Sequence, residues 1–390
     1  MDRRQFLVRS AVASLGGLLP GGCGGSDGGG GPSPAAPAAA SPPLPGETIV
    51  IALAGSSSVM QYVSHFAGPA SNARVQVTRD GTNFAPLQSG AFGKVAGDAL
   101  VQATGQNVIF IDGGVSGATL ASWAAPSSPH RRQLVSRIRA AGGADLLLLQ
   151  AGWNDAASGA VRSREAQSGL FHALIGAIRS EAALPGLPVL LAACQNLHSG
   201  AARWQDQLAL QRLAELDAAA SIPDVTYAFS TYDLPTYDGI HQSEQAQLLA
   251  GQRFAEQAIA RLAGQPSPRG PRAAAVTQVS DSVTQIQLNL ADGTGFMPAS
   301  GLDGFFVQDA AGLSAATSAI RIDDRTIQLM HRPLDMVEGT IRYALDARIG
   351  LPGCVRDTSA LARPMEPMLL PVSNSAAEMV PAAGFEPAAP

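Results

Sequence analysis

Residues 48–60 read TIVIALAGSSSVM, an unbroken β-branched and apolar run that gives way to one glycine and three serines. The apolar part, residues 48–53, has no polar alternation, as expected of a parallel strand covered on both faces. Similar runs recur at 107–111, at 145–150 with four leucines in sequence, at 187–193 and, more weakly, at 225–229. Helical patterns lie between or after them, at 130–141, 164–182, 203–219 and 243–263. Strand–helix alternation with short connections predicts a doubly wound α/β domain over residues 47–265. Ligands of such a sheet are expected at the carboxyl ends of its strands.

The pattern changes after a linker at 264–272, marked by Pro266, Pro268, Gly270 and Pro271. Residues 276–279, 284–290, 326–329 and 340–345 alternate apolar and polar side chains. Short alternating strands with turn signals between them predict a small β-sandwich-like accessory domain over residues 272–372. Residues 373–390 read as a disordered tail.

The amino-terminal end reads as an export signal over residues 1–22. Arg3 and Arg4 precede Phe6-Leu7, and the apolar run to Leu19 is too short to remain as a bilayer-spanning helix. The arginine pair resembles a twin-arginine signal. Small residues before Cys23 resemble a lipoprotein processing site, which makes Cys23 a candidate for lipidation. The expected location is the bacterial envelope, periplasmic or held at a membrane by that lipid alone. Residues 23–46 are mostly Gly, Ser, Pro and Ala and read as a disordered tether. The other two cysteines, Cys194 and Cys354, fall in different expected domains; two separate buried thiols are favoured over a disulfide.

Bulk composition narrows the function. A net charge of −5 and an aromatic content of 5% argue against nucleic-acid binding by phosphate neutralisation or base stacking. Lys94 is the single lysine, which removes most Schiff-base and Ser-Lys chemistry. The histidines are scattered without a His-Glu-x-x-His pattern, so no metal site and no cofactor is expected.

Four loops at strand ends carry the polar residues. They are Gly55-Ser56-Ser57-Ser58, Gly113 to Thr119, Gly152-Trp153-Asn154-Asp155, and Asp238-Gly239-Ile240-His241 at the expected start of the last helix. Singly, each has a bland explanation: a serine turn, a tight glycine turn, an Asn-Asp turn, a helix cap with a surface histidine. Together they offer what acyl transfer needs. A serine hydroxyl attacks only when a histidine takes its proton and a carboxylate orients that histidine. Loop N–H groups and an asparagine amide can hold the oxyanion.

In order and content, the four loops resemble the blocks of the SGNH hydrolase superfamily (GDSL-type esterases), closest to the sialate O-acetylesterase-like carbohydrate esterases. The resemblance covers residues 47–264. It implies a flavodoxin-like sheet with Ser57 as nucleophile, two positions after Gly55, and Asp238 and His241 as its partners. It implies an oxyanion hole of the Ser57 N–H, Gly117 and Asn154. Ser56 and Ser58 depart from the aspartate, glutamine or asparagine usual in that first block. Residues 75–81 resemble an extra strand pair of such esterases. The implied activity is hydrolysis of short acyl esters, acetyl above all, on a small-molecule or glycan substrate. The alternatives are a lipase or thioesterase of the same superfamily, and a non-catalytic carbohydrate-binding surface protein. Trp123, Trp153 and His198 are candidate substrate contacts, with core packing an equal reading for the two indoles and a structural or exposed role open for His198. Asp155 reads as a loop-fixing residue.

Overall fold

The first apolar run forms strand β1, Thr48–Gly55, and its two faces enter two different cores. The computed structural model describes residues 48–197, 204–291, 293–334, 339–345 and 353–372. The expectations for residues 1–22, 23–46 and 373–390, with Cys23 and His198, lie outside the described residues. After β1 the chain continues through α1 (Ser57–Tyr62), β2 (Val75–Thr78), β3 (Ala85–Pro86), α2 (Ala91–Thr104) and β4 (Asn107–Ile111). Next come α3 (Leu120–Ala124), α4 (Pro129–Ala140), β5 (Leu146–Gln150), α5 (Trp153–Ser158) and α6 (Arg164–Ala182). The α/β part closes with β6 (Val189–Ala192), α7 (Gln205–Ser221), β7 (Val225–Phe229) and α8 (Glu244–Leu262).

These strands make one seven-stranded sheet in the order β3-β2-β4-β1-β5-β6-β7, parallel except for the edge strand β3. Strand β1 lies between β4 and β5, where the chain turns from building one half of the sheet to the other. That is the switch point at which a crevice opens beyond the carboxyl ends. Ile49, Ile51 and Leu53 pack with Phe92, Leu100 and Phe254 from α2 and α8. Ala52 and Ala54 pack on the other side with Leu134, Phe171 and Ile178 from α4 and α6. Each large aliphatic side chain buried this way contributes roughly 1.5–3 kcal/mol. Burial on both faces is why the run shows no polar alternation.

Two helices have the start signals and periodicity that their sequences imply. Ser163 and Ser243 cap α6 and α8 by accepting from the N–H of Ala166 and Ala246. On α6, Phe171, Leu174, Ile175 and Ile178 form the buried stripe.

Helix α2 was not anticipated. It is rich in Ala and Gly, and its N-cap, Gly90 at φ 100°, offers no side-chain cap. Its place is fixed by packing instead: Phe92 stacks on Tyr62 at 4.0 Å and touches Phe254 at 5.4 Å. The short helices α1, α3 and α5 were likewise unforeseen, since a turn or two carries little periodicity. The stretch 75–81 supplies one strand rather than a pair: β2 joins the main sheet beside β4, and β3 pairs with β2.

The rest is antiparallel. It comprises β8 (Arg272–Ser280), β9 (Val283–Asn289), β10 (Phe296–Met297), β11 (Phe305–Asp309), β12 (Gly312–Ala315) and β13 (Ser318–Arg321). It ends with β14 (Thr326–Met330), β15 (Thr340–Tyr343), β16 (Arg356–Asp357) and β17 (Met368–Pro371). Two four-stranded sheets, β13-β14-β9-β8 and β12-β11-β15-β17, and the pair β10-β16 result. Ile286 and Leu288, Ile327 and Leu329, Phe305 and Val307, and Ile341 and Tyr343 fill one shared core at period two.

This unit is bound to the α/β part by buried polar groups. Arg253 of α8 forms a two-pronged ion pair with Asp233 and donates to the carbonyl of Ala362. Tyr232 enters the β core and donates to the carbonyl of Met365. Cys194 and Cys354 are free, and burial raises both thiols, Cys354 to about 12.

Candidate active site

Gly55 ends β1 where a side chain cannot fit. A Cβ there would lie 2.1 Å from the carbonyl oxygen of Gln150 and 2.6 Å from Val59. The chain therefore turns sharply at the sheet edge and enters α1 with three serines in three environments. Ser56 is buried at the helix start, with no side-chain capping bond. Ser58 is buried and accepts from the Gln195 amide at 3.3 Å. Ser57, half-buried, is 2.9 Å from His241 Nε2.

The other ring nitrogen of that imidazole, Nδ1, is 2.6 Å from Asp238 Oδ2. The remaining oxygen of Asp238, Oδ1, accepts from the backbone N–H of Ile240 at 2.9 Å and of His241 at 2.6 Å. Desolvation works against the charged carboxylate. The His241 side chain and the two backbone donors outweigh it, and Asp238 is lowered to about 2. Asp238 and His241 do not open a helix, which corrects the sequence reading. They sit in a loop closed by a Thr236–Gln242 bridge and by the Tyr237 N–H donating to the His241 carbonyl, and α8 starts only at Glu244. An aspartate that accepts from the amides two and three residues on makes the same local turn as a helix cap, so spacing alone does not separate them.

Gly117 and Asn154 are brought together. The Asn154 amide donates to the carbonyl of Ala118 at 2.9 Å. Gly117 adopts φ 72°, a left-handed conformation at an exposed turn that suits glycine. Asp155 fixes the same loop: its carboxylate accepts from the N–H of Leu120 at 2.6 Å and of Ala121 at 3.2 Å. Burial raises Asp155 despite those bonds.

For the tryptophans, core packing is the reading that the structure favours over substrate contact. Trp123 is 0% exposed, on the inner side of α3 within the core under the sheet. Trp153 is buried too, and its indole N–H donates to the carbonyl of Asn196 at 3.2 Å. Both rings are spent on packing, so neither walls a substrate site.

A family model described as carbohydrate esterase, sialic acid-specific acetylesterase, matches residues 83–260. The match covers less than half of the 390 residues and marks this segment as similar to that family. Its members are carboxylic ester hydrolases. The match begins after Ser57, yet β1 delivers that serine to the matched segment from between β4 and β5. Among solved structures, a carbohydrate acetylesterase from Xanthomonas citri is similar at 16% identity and a TM-score of 0.62, over 82% of this chain and 80% of its own. That is a likeness of fold. A carbohydrate acetylesterase from Sinorhizobium meliloti covers 55% of this chain and 99% of its own at 18% identity, with a TM-score of 0.36, too low to carry an argument. No curated protein matches the chain.

Several residues around Ser57 and His241 escaped sequence reasoning. Gln195, just past β6, donates to the Ile240 carbonyl at 2.7 Å as well as to Ser58, and so joins the serine and histidine loops. Its position at a strand's carboxyl end was the available signal. Gln211 and Glu215 of α7 hold the floor: Gln211 donates to Ala151 O and to Glu215, and Glu215 accepts from the N–H of Cys194. Nothing in a helical pattern distinguishes these two from ordinary surface polar residues. Tyr237, beside Asp238, is 48% exposed, and its ring lies 6.0 Å from that of His241.

Proposed function

We propose that the chain is a serine esterase that removes short acyl groups, acetyl foremost, from carbohydrate. The observation that carries this is the bridge by His241 between Ser57, at 2.9 Å, and Asp238, at 2.6 Å. Both distances are those of real hydrogen bonds. They fit a nucleophile–base pair whose base is oriented by a third group.

In this reading, His241 Nε2 takes the Ser57 hydroxyl proton as Oγ attacks the ester carbonyl. Asp238, ionised at neutral pH, holds Nδ1–H and stabilises the imidazolium. The oxyanion is held by the backbone N–H groups of Ser57 and Gly117 and by the Asn154 amide. One amide hydrogen of Asn154 goes to Ala118, and its second is available for the oxyanion. Each such donor lowers the barrier by roughly 3 kcal/mol. His241 then returns the proton to the departing sugar hydroxyl. A water, deprotonated in turn by His241, releases the acid from Ser57.

The test is hydrolysis of p-nitrophenyl esters of increasing acyl length by the chain and by Ser57→Ala. We expect acetyl turnover in the parent, a steep fall beyond butyryl and loss in the variant. Rates that rise towards octanoyl would favour a lipase. Residues 1–22 act in this account as an export signal that places the enzyme in the envelope. An unprocessed amino terminus on the secreted or membrane-bound protein would contradict that.

A further inference from the structure

A row of rings borders the proposed catalytic histidine. Tyr237 lies near-parallel to His241, with ring centres 6.0 Å apart and planes inclined by 24°. On its other neighbour, His65, the centres are 5.5 Å apart and the planes inclined by 22°. Phe66 meets Tyr237 edge-on at 5.6 Å. Rings in face-to-face contact would sit closer, so these are offset and leave ring surface uncovered. Tyr237 keeps 48% of its surface open, while the tryptophans near the site are buried.

The row is held in place at a conformational cost. Phe66 has φ 61°, in the left-handed region that a bulky side chain rarely enters. The carbonyls of His65 and Phe66 accept from the N–H groups of Ala91 and Gly90, at 3.3 and 2.9 Å. The Gly68 N–H donates to Glu244. Strain of this sort persists where surrounding structure over-determines it, and it gathers at ligand clamps.

We infer that Tyr237, flanked by Phe66 and His65, is the platform on which the sugar ring of the ester substrate lies while its acyl group meets Ser57. The inference rests on the esterase reading above. The electron-rich face of the phenol ring suits the slightly positive C–H face of a pyranose. The rim suits its hydroxyls: the Gln61 amide reaches the Tyr237 hydroxyl at 3.2 Å, and the imidazole of His65 stands beside it. A fatty-acyl chain would gain nothing from that polar rim.

The test compares glucose pentaacetate with ethyl acetate, which carries no ring, by titrating the acid released. A p-nitrophenyl ester would be a poor control, since its own ring can stack. In Tyr237→Ala the ratio of kcat/KM for the sugar ester to that for ethyl acetate should fall about tenfold, the range an aromatic contact supplies. The loss should appear in KM, as for an interaction made in ground and transition states alike. Tyr237→Phe should keep the ratio. Should Tyr237→Ala fail to fold, Tyr237→Leu, apolar but ringless, gives the same reading. An unaltered ratio, whether both rates fall together or neither does, overturns the platform and leaves Tyr237 a support for His241 at most. A parent chain inactive on both esters contradicts the esterase reading itself.

Discussion

Ser57 and His241 are 184 residues apart in sequence and 2.9 Å apart in the fold. The contact closes only because β1 is the middle strand of the sheet and the loop after β7 folds back over its carboxyl end. Asp238 holds the histidine from behind, and Gln195 joins the two loops from below.

The carboxylate should matter more through tautomer and orientation than through its own titration. Asp238→Asn keeps the shape but presents the wrong partner to Nδ1. Steady-state hydrolysis of p-nitrophenyl acetate should show kcat reduced on the order of 10⁴-fold. The sign of the shift fixes the pH behaviour. Asp238 is depressed to about 2, so it stays ionised as pH falls to that value, and its native-state contribution is lost only below the ordinary carboxylate range. A carbon-detected NMR titration of Asp238 should show its midpoint near 2 and not near 4.

Gln195 should act as a positioning residue. Gln195→Ala removes the donor that bridges Ser58 and the Ile240 carbonyl without touching Ser57 or His241. Losing about one hydrogen bond's worth of order should lower kcat roughly tenfold. That is far less than removal of Ser57, and Gln195→Glu should not restore it, because a carboxylate cannot donate to a carbonyl. A loss as deep as that of Ser57→Ala would mean that Gln195 takes part in the chemistry.

Glu215 should make stability depend on pH in an unusual direction. Burial raises this carboxyl to about 7, against the bonds it accepts from Gln211 and Cys194 and the charge of Arg212. The native state therefore holds a proton between pH 4.5 and 7 that the unfolded chain has released, so stability falls as pH rises through that window. Relative to Glu215→Gln, which cannot titrate, the parent should lose up to roughly 3 kcal/mol across it. Denaturant unfolding of both proteins at pH 4.5 and 7.5 measures the difference; parallel curves would contradict the shift.

The β unit should brace the site through Arg212. This fully buried guanidinium donates to the carbonyls of Cys194 and, at 2.5 Å, of Ala344. It also donates to the Asn196 side chain, whose backbone carbonyl takes the Trp153 indole N–H. Arg212→Met leaves those acceptors bare and should destabilise the protein by roughly 3 kcal/mol or more. The melting temperature would fall, and kcat per folded enzyme would drop as the start of α5, which carries Asn154, shifts. An unchanged melting temperature would show the two units to be independent.

The sheet was legible because both faces of its strands are buried, and burial writes itself into composition: residues 48–53 and 146–149 hold almost nothing polar. Gly55, where the close approach to Gln150 admits no side chain, was legible as a turn, and Ser57, two positions on, is the serine that lies 2.9 Å from His241 Nε2. What escaped depends on direction. Trp153 is next to Asn154 and Trp123 lies six residues past Gly117, but a short helix points neighbouring residues to different sides, so their burial could not be read from position. Asp238 and His241 read as a helix start because a capped turn and a helix cap share one spacing. Tyr237 drew no notice because a lone aromatic residue has no pattern; only its exposure beside His241 marks it. Helix α2, poor in capping residues, is held by Phe92 packing with Tyr62 and Phe254, contacts that no local window contains.

Ser57, alone of the three serines, is the proposed nucleophile. Purified Ser56→Ala, Ser57→Ala and Ser58→Ala proteins, each checked for folding by circular dichroism, would be assayed on p-nitrophenyl acetate beside the parent. Ser57→Ala should lose on the order of 10⁴-fold or more in kcat, while Ser56→Ala and Ser58→Ala should stay within about tenfold of the parent. Full activity in Ser57→Ala, or its loss in Ser56→Ala or Ser58→Ala alone, would contradict it.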